Sequence, residues 1–149
     1  MPLRLTLKPD ERIIVNGCAI RNASRRQTLT IENRADVVRG HDLLKEKDAN
    51  TPVTRVYFLI QTVLVAADLR EEFNPQIQKN LAELATVFGP DLRENIVSAA
   101  NFVSIGDYYK AMRALSGLIK YERQLLGLMA QNNGPENTSS TKATKEEAR

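Results

Sequence analysis

The chain contains no tryptophan, one cysteine, one histidine and eight other aromatic residues in 149 positions. Cys18 alone excludes an intrachain disulfide and a cysteine-rich zinc site. His41 alone means that any histidine-dependent base, metal site or hydrolase chemistry would rest on that one residue. The longest apolar run, Val56 to Leu69, is interrupted by Gln61, Thr62 and Asp68 and is too short to span a bilayer. No basic segment precedes an apolar run at the start, so a secretory leader is not expected. A glycine-rich phosphate loop, a nucleophile elbow and a paired-carboxylate motif are all missing. These absences point to a non-enzymatic cytoplasmic protein that needs no cofactor, metal or membrane.

The apolar fraction is 42% and the charged fraction 26%, as in an ordinary soluble domain. Leu3, Leu5 and Leu7 alternate with Arg4, Thr6 and Lys8, the period-2 signature of a strand with one buried face. Pro9-Asp10-Glu11 makes a turn. Asn16-Gly17, between Ile13-Ile14-Val15 and Cys18-Ala19-Ile20, predicts a hairpin closed by a type I′ turn, whose two central residues need positive φ. Asn22 to Arg26 reads as an exposed loop, and Gln27–Glu32 as a strand with Leu29 and Ile31 inward. Asp36 to Arg39 gives a further short strand. Cys18, beside the turn, fits a small buried hydrophobe better than a nucleophile, since no neighbouring base activates it.

Residues 41–51 read as a connector, and the rest is helical. Thr51-Pro52, Asn74-Pro75 and Gly89-Pro90 each place proline where a helix can start. They predict helices over about 52–70, 75–88, 91–104 and 107–131. Each carries an apolar stripe; on the last it runs through Tyr108, Met112, Leu115, Ile119, Leu126 and Met129, widened by Leu118 and Leu125. Asp107-Tyr108-Tyr109-Lys110 reads as a cap followed by core anchors. Apolar residues off the stripes serve either to cover the strands or to form a homo-oligomer seam. Residues 132–149 have no aliphatic side chain larger than alanine and are predicted to be a disordered tail. The predicted organisation is an α+β fold: a basic antiparallel β-unit of four or five short strands over 1–40, the connector, a helical bundle over 52–131, and the tail.

Charge is unevenly placed. The whole chain carries +3, whereas residues 1–39 hold eight Arg and Lys against four Asp and Glu. This surplus is either a solvated strand face or a nucleic-acid footprint. Under the second reading the binding residues are Arg4, Lys8, Arg12, Arg21, Arg25, Arg26 and Arg34, with guanidinium groups contacting phosphate and stacking on unpaired bases. Residues 1–50 contain no Phe, Tyr or Trp, so base stacking on aromatic side chains of the sheet is excluded. Such binding would be salt-sensitive and only modestly selective.

Leu7-Lys8-Pro9, Glu11-Arg12, Asn16-Gly17, Ile20-Arg21-Asn22, Arg25-Arg26 and Leu29-Thr30-Ile31-Glu32-Asn33, in that order, resemble the FlbT family of flagellum-biosynthesis repressors. The likeness continues through Asn50-Thr51-Pro52 and Arg55-Val56-Tyr57-Phe58 to about Gln131. It implies a post-transcriptional regulator that associates with the 5′ untranslated region of flagellin mRNA and promotes decay of the message. With no nuclease motif in the chain, a separate ribonuclease would carry out that decay. Residues 1–40 also resemble, more loosely, small β-proteins of the carbon-storage-regulator type. A competing expectation is an adaptor that acts through its apolar helices on flagellin or a companion flagellar regulator, without touching RNA.

Overall fold

The computed structural model describes residues 2–141. The fold is α+β. Five strands, β1 (Leu3–Leu7), β2 (Arg12–Val15), β3 (Cys18–Arg21), β4 (Gln27–Ile31) and β5 (Val37–Val38), precede four helices, α1 (Pro52–Val65), α2 (Arg70–Val87), α3 (Pro90–Ser104) and α4 (Tyr108–Thr141). The chain divides into two compact units, residues 1–116 and 117–149.

The strands form two antiparallel sheets rather than one. β1 pairs with β4, setting Leu3, Leu5 and Leu7 opposite Ile31, Leu29 and Gln27. β2 is the centre of the second sheet, in the order β3-β2-β5. Asn16 and Gly17 close the β2–β3 hairpin with φ of 50° and 80°, the positive values that the Asn-Gly pair predicts. Leu5, Leu7 and Ile13 are buried together, with Leu3, Val15, Ile20, Ile31 and Val37 packed around them, so an apolar face of each sheet closes on the other. Ile14 and Val38 are cross-strand partners on the opposite face of the second sheet, and both are buried.

Two short 3-10 turns, Gly40–Asp42 and Glu46–Asp48, lead to α1. Its start is a capping box: the Thr54 amide donates to Thr51 Oγ1 at 3.1 Å, and the Thr51 amide donates to Thr54 Oγ1 at 2.9 Å. Val53, Val56, Ile60 and Val63 form its fully buried stripe. α1 packs on α2, and α2 on α3.

Three helix boundaries differ from the sequence reading. α1 stops at Val65, followed by a 3-10 turn over Ala67–Leu69, because Arg70 caps its end: Nε donates to the Val63 carbonyl at 2.8 Å and Nη2 to the Leu64 carbonyl at 3.1 Å. α2 therefore begins at Arg70, and Pro75 lies inside it rather than at its start. Pro75 and Glu71 are both exposed, so water can take the bond that Pro75 cannot donate. Asn74 is not a cap; its Oδ1 accepts from the Tyr108 hydroxyl at 2.9 Å, and the Arg70 guanidinium lies 4.7 Å from the centre of the Tyr108 ring. Finally, α4 continues beyond the predicted end near 131 to Thr141, since extending a formed helix requires no new nucleus. Residues 142–149 of the predicted tail lie outside the described residues, as does the side chain of Met129. In the second unit, Tyr121, Leu125, Leu126 and Leu128 are exposed, so the predicted apolar stripe is not buried over that stretch.

Gly17 has a second constraint besides its positive φ: a Cβ there would sit 3.2 Å from the Leu64 carbonyl oxygen at the end of α1. Gly17→Ala is therefore expected to lower stability by about 1–2 kcal/mol, measurable as a lower urea midpoint with an unchanged m-value.

Candidate nucleic-acid interface

All seven basic residues singled out from the sequence are exposed, but they do not share one surface. On the outer face of the β1–β4 pair, Arg4 lies opposite Thr30 and Thr6 opposite Thr28, with the two hydroxyls of the latter pair 3.5 Å apart. Lys8 and Arg26 follow and precede those strands by one residue. This ribbon offers cations and hydroxyls on one side while Leu3, Leu5 and Leu7 point into the core. Leu29, predicted to face inward, is 37% exposed, although its cross-strand partner Leu5 is buried: the core cover over β1 does not extend to that part of β4.

The loop carrying Arg21, Arg25 and Arg26 is organised by Asn22. Asn22 Nδ2 lies 3.1 Å from the Leu7 and Lys8 carbonyls and 3.0 Å from that of Arg25, while its Oδ1 accepts from the Ser24 amide at 3.2 Å. The Asn22 amide and carbonyl also bond Glu11 and Asp10 across the neighbouring turn. Asn22 is thus a structural determinant of the basic loop that the charge-based reading passed over. Its signal was the Asn-x-Ser sequence of an Asx turn.

Arg12 and Arg21 are cross-strand partners on the second sheet. Arg21 Nη1 pairs with Asp10 Oδ1 at 3.0 Å, which offsets part of the charge concentrated there. Both side chains are largely exposed, so the pair contributes little to stability. Arg34 stands apart on the turn between β4 and β5. Its turn is held to the hairpin by the Asn16 amide donating to the Asp36 carbonyl at 2.8 Å and the Asp36 amide donating to Asn16 Oδ1 at 2.9 Å. Cys18, expected to be buried, is exposed: it sits at the hairpin end of β3, an outer strand.

Two hollows open beside the β-unit. The larger, about 1230 Å³, lies between the Leu7–Arg12 turn, the connector and α1; Leu43, Leu44, Phe58 and Val65 line it together with Lys8 and Arg12. The smaller, about 480 Å³, is lined by Leu3, Ala35, Val37, Val38, Arg39, His41, Asp42, Tyr57, Tyr109, Met112, Arg113 and Ser116. The connector between them is fixed to α1. The Tyr57 hydroxyl donates to the Asp42 carbonyl at 2.6 Å, and the Gln61 side-chain amide exchanges two 2.9 Å bonds with the Leu44 backbone. His41 is exposed, with its Nε2 3.4 Å from Asp42 Oδ2.

At the smaller hollow, Arg113 Nη1 donates to the Tyr109 hydroxyl at 3.2 Å, and the guanidinium carbon lies 5.9 Å from the ring centre. The hydrogen bond to Tyr109 raises the pKa of Arg113, the negative charge of Asp42 adds a smaller share, and burial opposes both. Arg113 therefore remains a cation throughout the physiological range. The sequence reading assigned Tyr109 to core anchoring, but it is only half-buried, while Tyr108 is the buried anchor. Spacing alone could not have joined Tyr109 and Arg113 to Arg39 and His41, since α4 and the β-unit are far apart in the chain.

The sequence profile of the family described as "Flagellar protein FlbT" matches residues 3–126. A protein of Caulobacter sp. (strain K31), named a probable flagellum biosynthesis repressor protein FlbT, is 33% identical over 128 residues, covering 85% of this chain and 98% of its own length. A protein of the same name from Rhodopseudomonas palustris (strain TIE-1) is 38% identical, with the same two coverages. The flagellum biosynthesis repressor protein FlbT of Caulobacter vibrioides (strain ATCC 19089 / CIP 103742 / CB 15) is 31% identical, over 85% of this chain and 91% of its own. No solved structure matches the chain.

Asn22→Ala removes the bonds that hold the basic loop to the end of β1. The expected outcome is a loss of about 1–2 kcal/mol in urea unfolding, with faster amide exchange at Ser24 to Arg26 than at β2.

Proposed function

The chain belongs to the FlbT family of flagellar proteins, and we propose on that premise that it represses flagellin synthesis after transcription. It binds the 5′ untranslated region of flagellin mRNA in the cytoplasm and promotes decay of the message. A separate ribonuclease cuts the RNA, once binding has masked the ribosome-binding region or exposed a cleavage site. The observation that carries this reading is the outer ribbon of β1 and β4, which presents Arg4, Thr6, Lys8, Thr28 and Thr30, next to the Asn22-held loop bearing Arg25 and Arg26. Arg12, Arg21 and Arg34 extend the same basic character around the β-unit. Guanidinium and hydroxyl groups on a rigid ribbon suit phosphate and ribose contacts, the part of RNA recognition that sets position and affinity.

Binding of the purified protein to a flagellin leader RNA, beside an unrelated RNA of equal length, should weaken with salt and favour the leader. Each phosphate contact to single-stranded RNA contributes about 0.7 to the slope of log affinity against log salt. The double variant Arg25→Glu, Arg26→Glu should lower that slope by roughly 1.4 if each side chain holds one phosphate. Absence of binding to either RNA at low salt would overturn direct recognition.

The groove of about 1230 Å³ favours a second reading, an adaptor that takes flagellin or a companion flagellar regulator without RNA contact. Val65, 41% exposed on its wall, is the position to test. Under this reading Val65→Glu abolishes co-purification with the protein partner, and under the RNA reading it leaves the leader affinity unchanged.

A further inference from the structure

We infer that the hollow bounded by Arg39, His41, Tyr109 and Arg113 is a subsite for one unpaired RNA nucleotide. The base lies against the Tyr109 ring, and an adjoining phosphate sits between the two guanidinium groups. The inference rests on the RNA reading above and adds the aromatic stacking element that the β-unit lacks.

The first support is chemical. No Phe, Tyr or Trp occurs in residues 1–50, so the sheet can offer no aromatic stacking platform. The fold replaces it from the helical half by bringing Tyr109 of α4 to the wall shared with Arg39 and His41. An aromatic ring beside guanidinium groups is the combination that holds unstacked bases in single-stranded RNA. Arg113 is already fixed to the Tyr109 hydroxyl, so it loses little freedom on binding. Arg39 is exposed and forms no ion pair among the described residues, which leaves its charge available to an anion.

The second support is spatial. A volume of about 480 Å³ falls in the range of small-ligand pockets, roughly 300–1,000 Å³. The hollow opens at the β-unit itself: Leu3 of β1, Ala35 and the two residues of β5, Val37 and Val38, form its β-side wall. Its own cations, Arg39 and Arg113, are exposed and available to a nucleotide that enters it. Asp42 is the one carboxylate on the wall, and it is held beside His41. A carboxylate there can accept N–H donors of a base edge.

The test uses the full chain, a single-stranded RNA of flagellin leader sequence and the same salt series. Tyr109→Phe keeps the ring and should bind within two-fold of the wild type. Tyr109→Ala should bind about 5- to 150-fold more weakly, with an unchanged salt slope, because stacking releases no counterions. Arg39→Ala removes an exposed side chain that supports no core, and it should reduce the slope by about 0.7. Photocrosslinking of the same RNA carrying 4-thiouridine should label a peptide containing Tyr109. If the wild type binds in a salt-dependent way, the Arg25→Glu, Arg26→Glu variant binds more weakly, and Tyr109→Ala and Arg39→Ala both bind as the wild type does, the subsite is wrong and the RNA reading stands. An equal loss in Tyr109→Phe and Tyr109→Ala would overturn the stacking role, leaving only the hydroxyl bond to Arg113. No RNA binding by the wild type would overturn both.

Discussion

β2 is covered on both faces, and the rest of the β-unit depends on that. Ile13 is buried against Leu5 and Leu7 of the other sheet, while Ile14, one residue later, is buried on the opposite side with Val38. A two-stranded ribbon is marginal alone in water, and a three-stranded sheet needs a buried apolar face. Each sheet gains its stability by closing an apolar face, and β2 supplies residues to both closures. The apolar area removed from water offsets the entropy of ordering strands of only two to five residues.

This arrangement leaves one face of the β1–β4 ribbon with no structural duty. Leu3, Leu5 and Leu7 face the core, so Arg4, Thr6, Thr28 and Thr30 are free to be polar on the other side. Cations gathered on such a ribbon repel one another. The fold limits the cost by leaving them in water, by pairing Arg21 with Asp10 and by placing Arg34 on a separate turn. With the backbone beneath them already ordered, these exposed cations have only side-chain rotamers left to fix when an anion engages them.

Much of the fold was legible locally. The Leu3-Leu5-Leu7 alternation, the Asn16-Gly17 turn and the Thr51-Pro52 helix start all act within a few residues of chain, and each appears in the structure where its pattern placed it. The misreadings came from groups whose partners are remote. Asn74-Pro75 has the sequence of a helix start, yet Arg70 had already capped α1 by reaching back to Val63 and Leu64, so α2 was under way before the proline. Cys18 and Leu29 keep the period of their strands yet are exposed, because a correct period does not ensure that another element covers the position.

Of the candidate interface, residue type and exposure were readable; grouping was not. Alternation alone predicts that Arg4 and Lys8 leave the core, because strand side chains have a period of two. The division of the strands into two sheets, which separates Arg12 and Arg21 from Arg4, is a matter of pairing between distant segments. So is the meeting of Arg39 and His41 with Tyr109 and Arg113 around one hollow. The sequence by itself determined the strands, the turns, the helix stripes and the basic character of the first forty residues, since these depend on local backbone preference and patterning. Only the tertiary structure decided which cations share a surface and which aromatic ring stands beside them, because those contacts join residues with no local signal linking them.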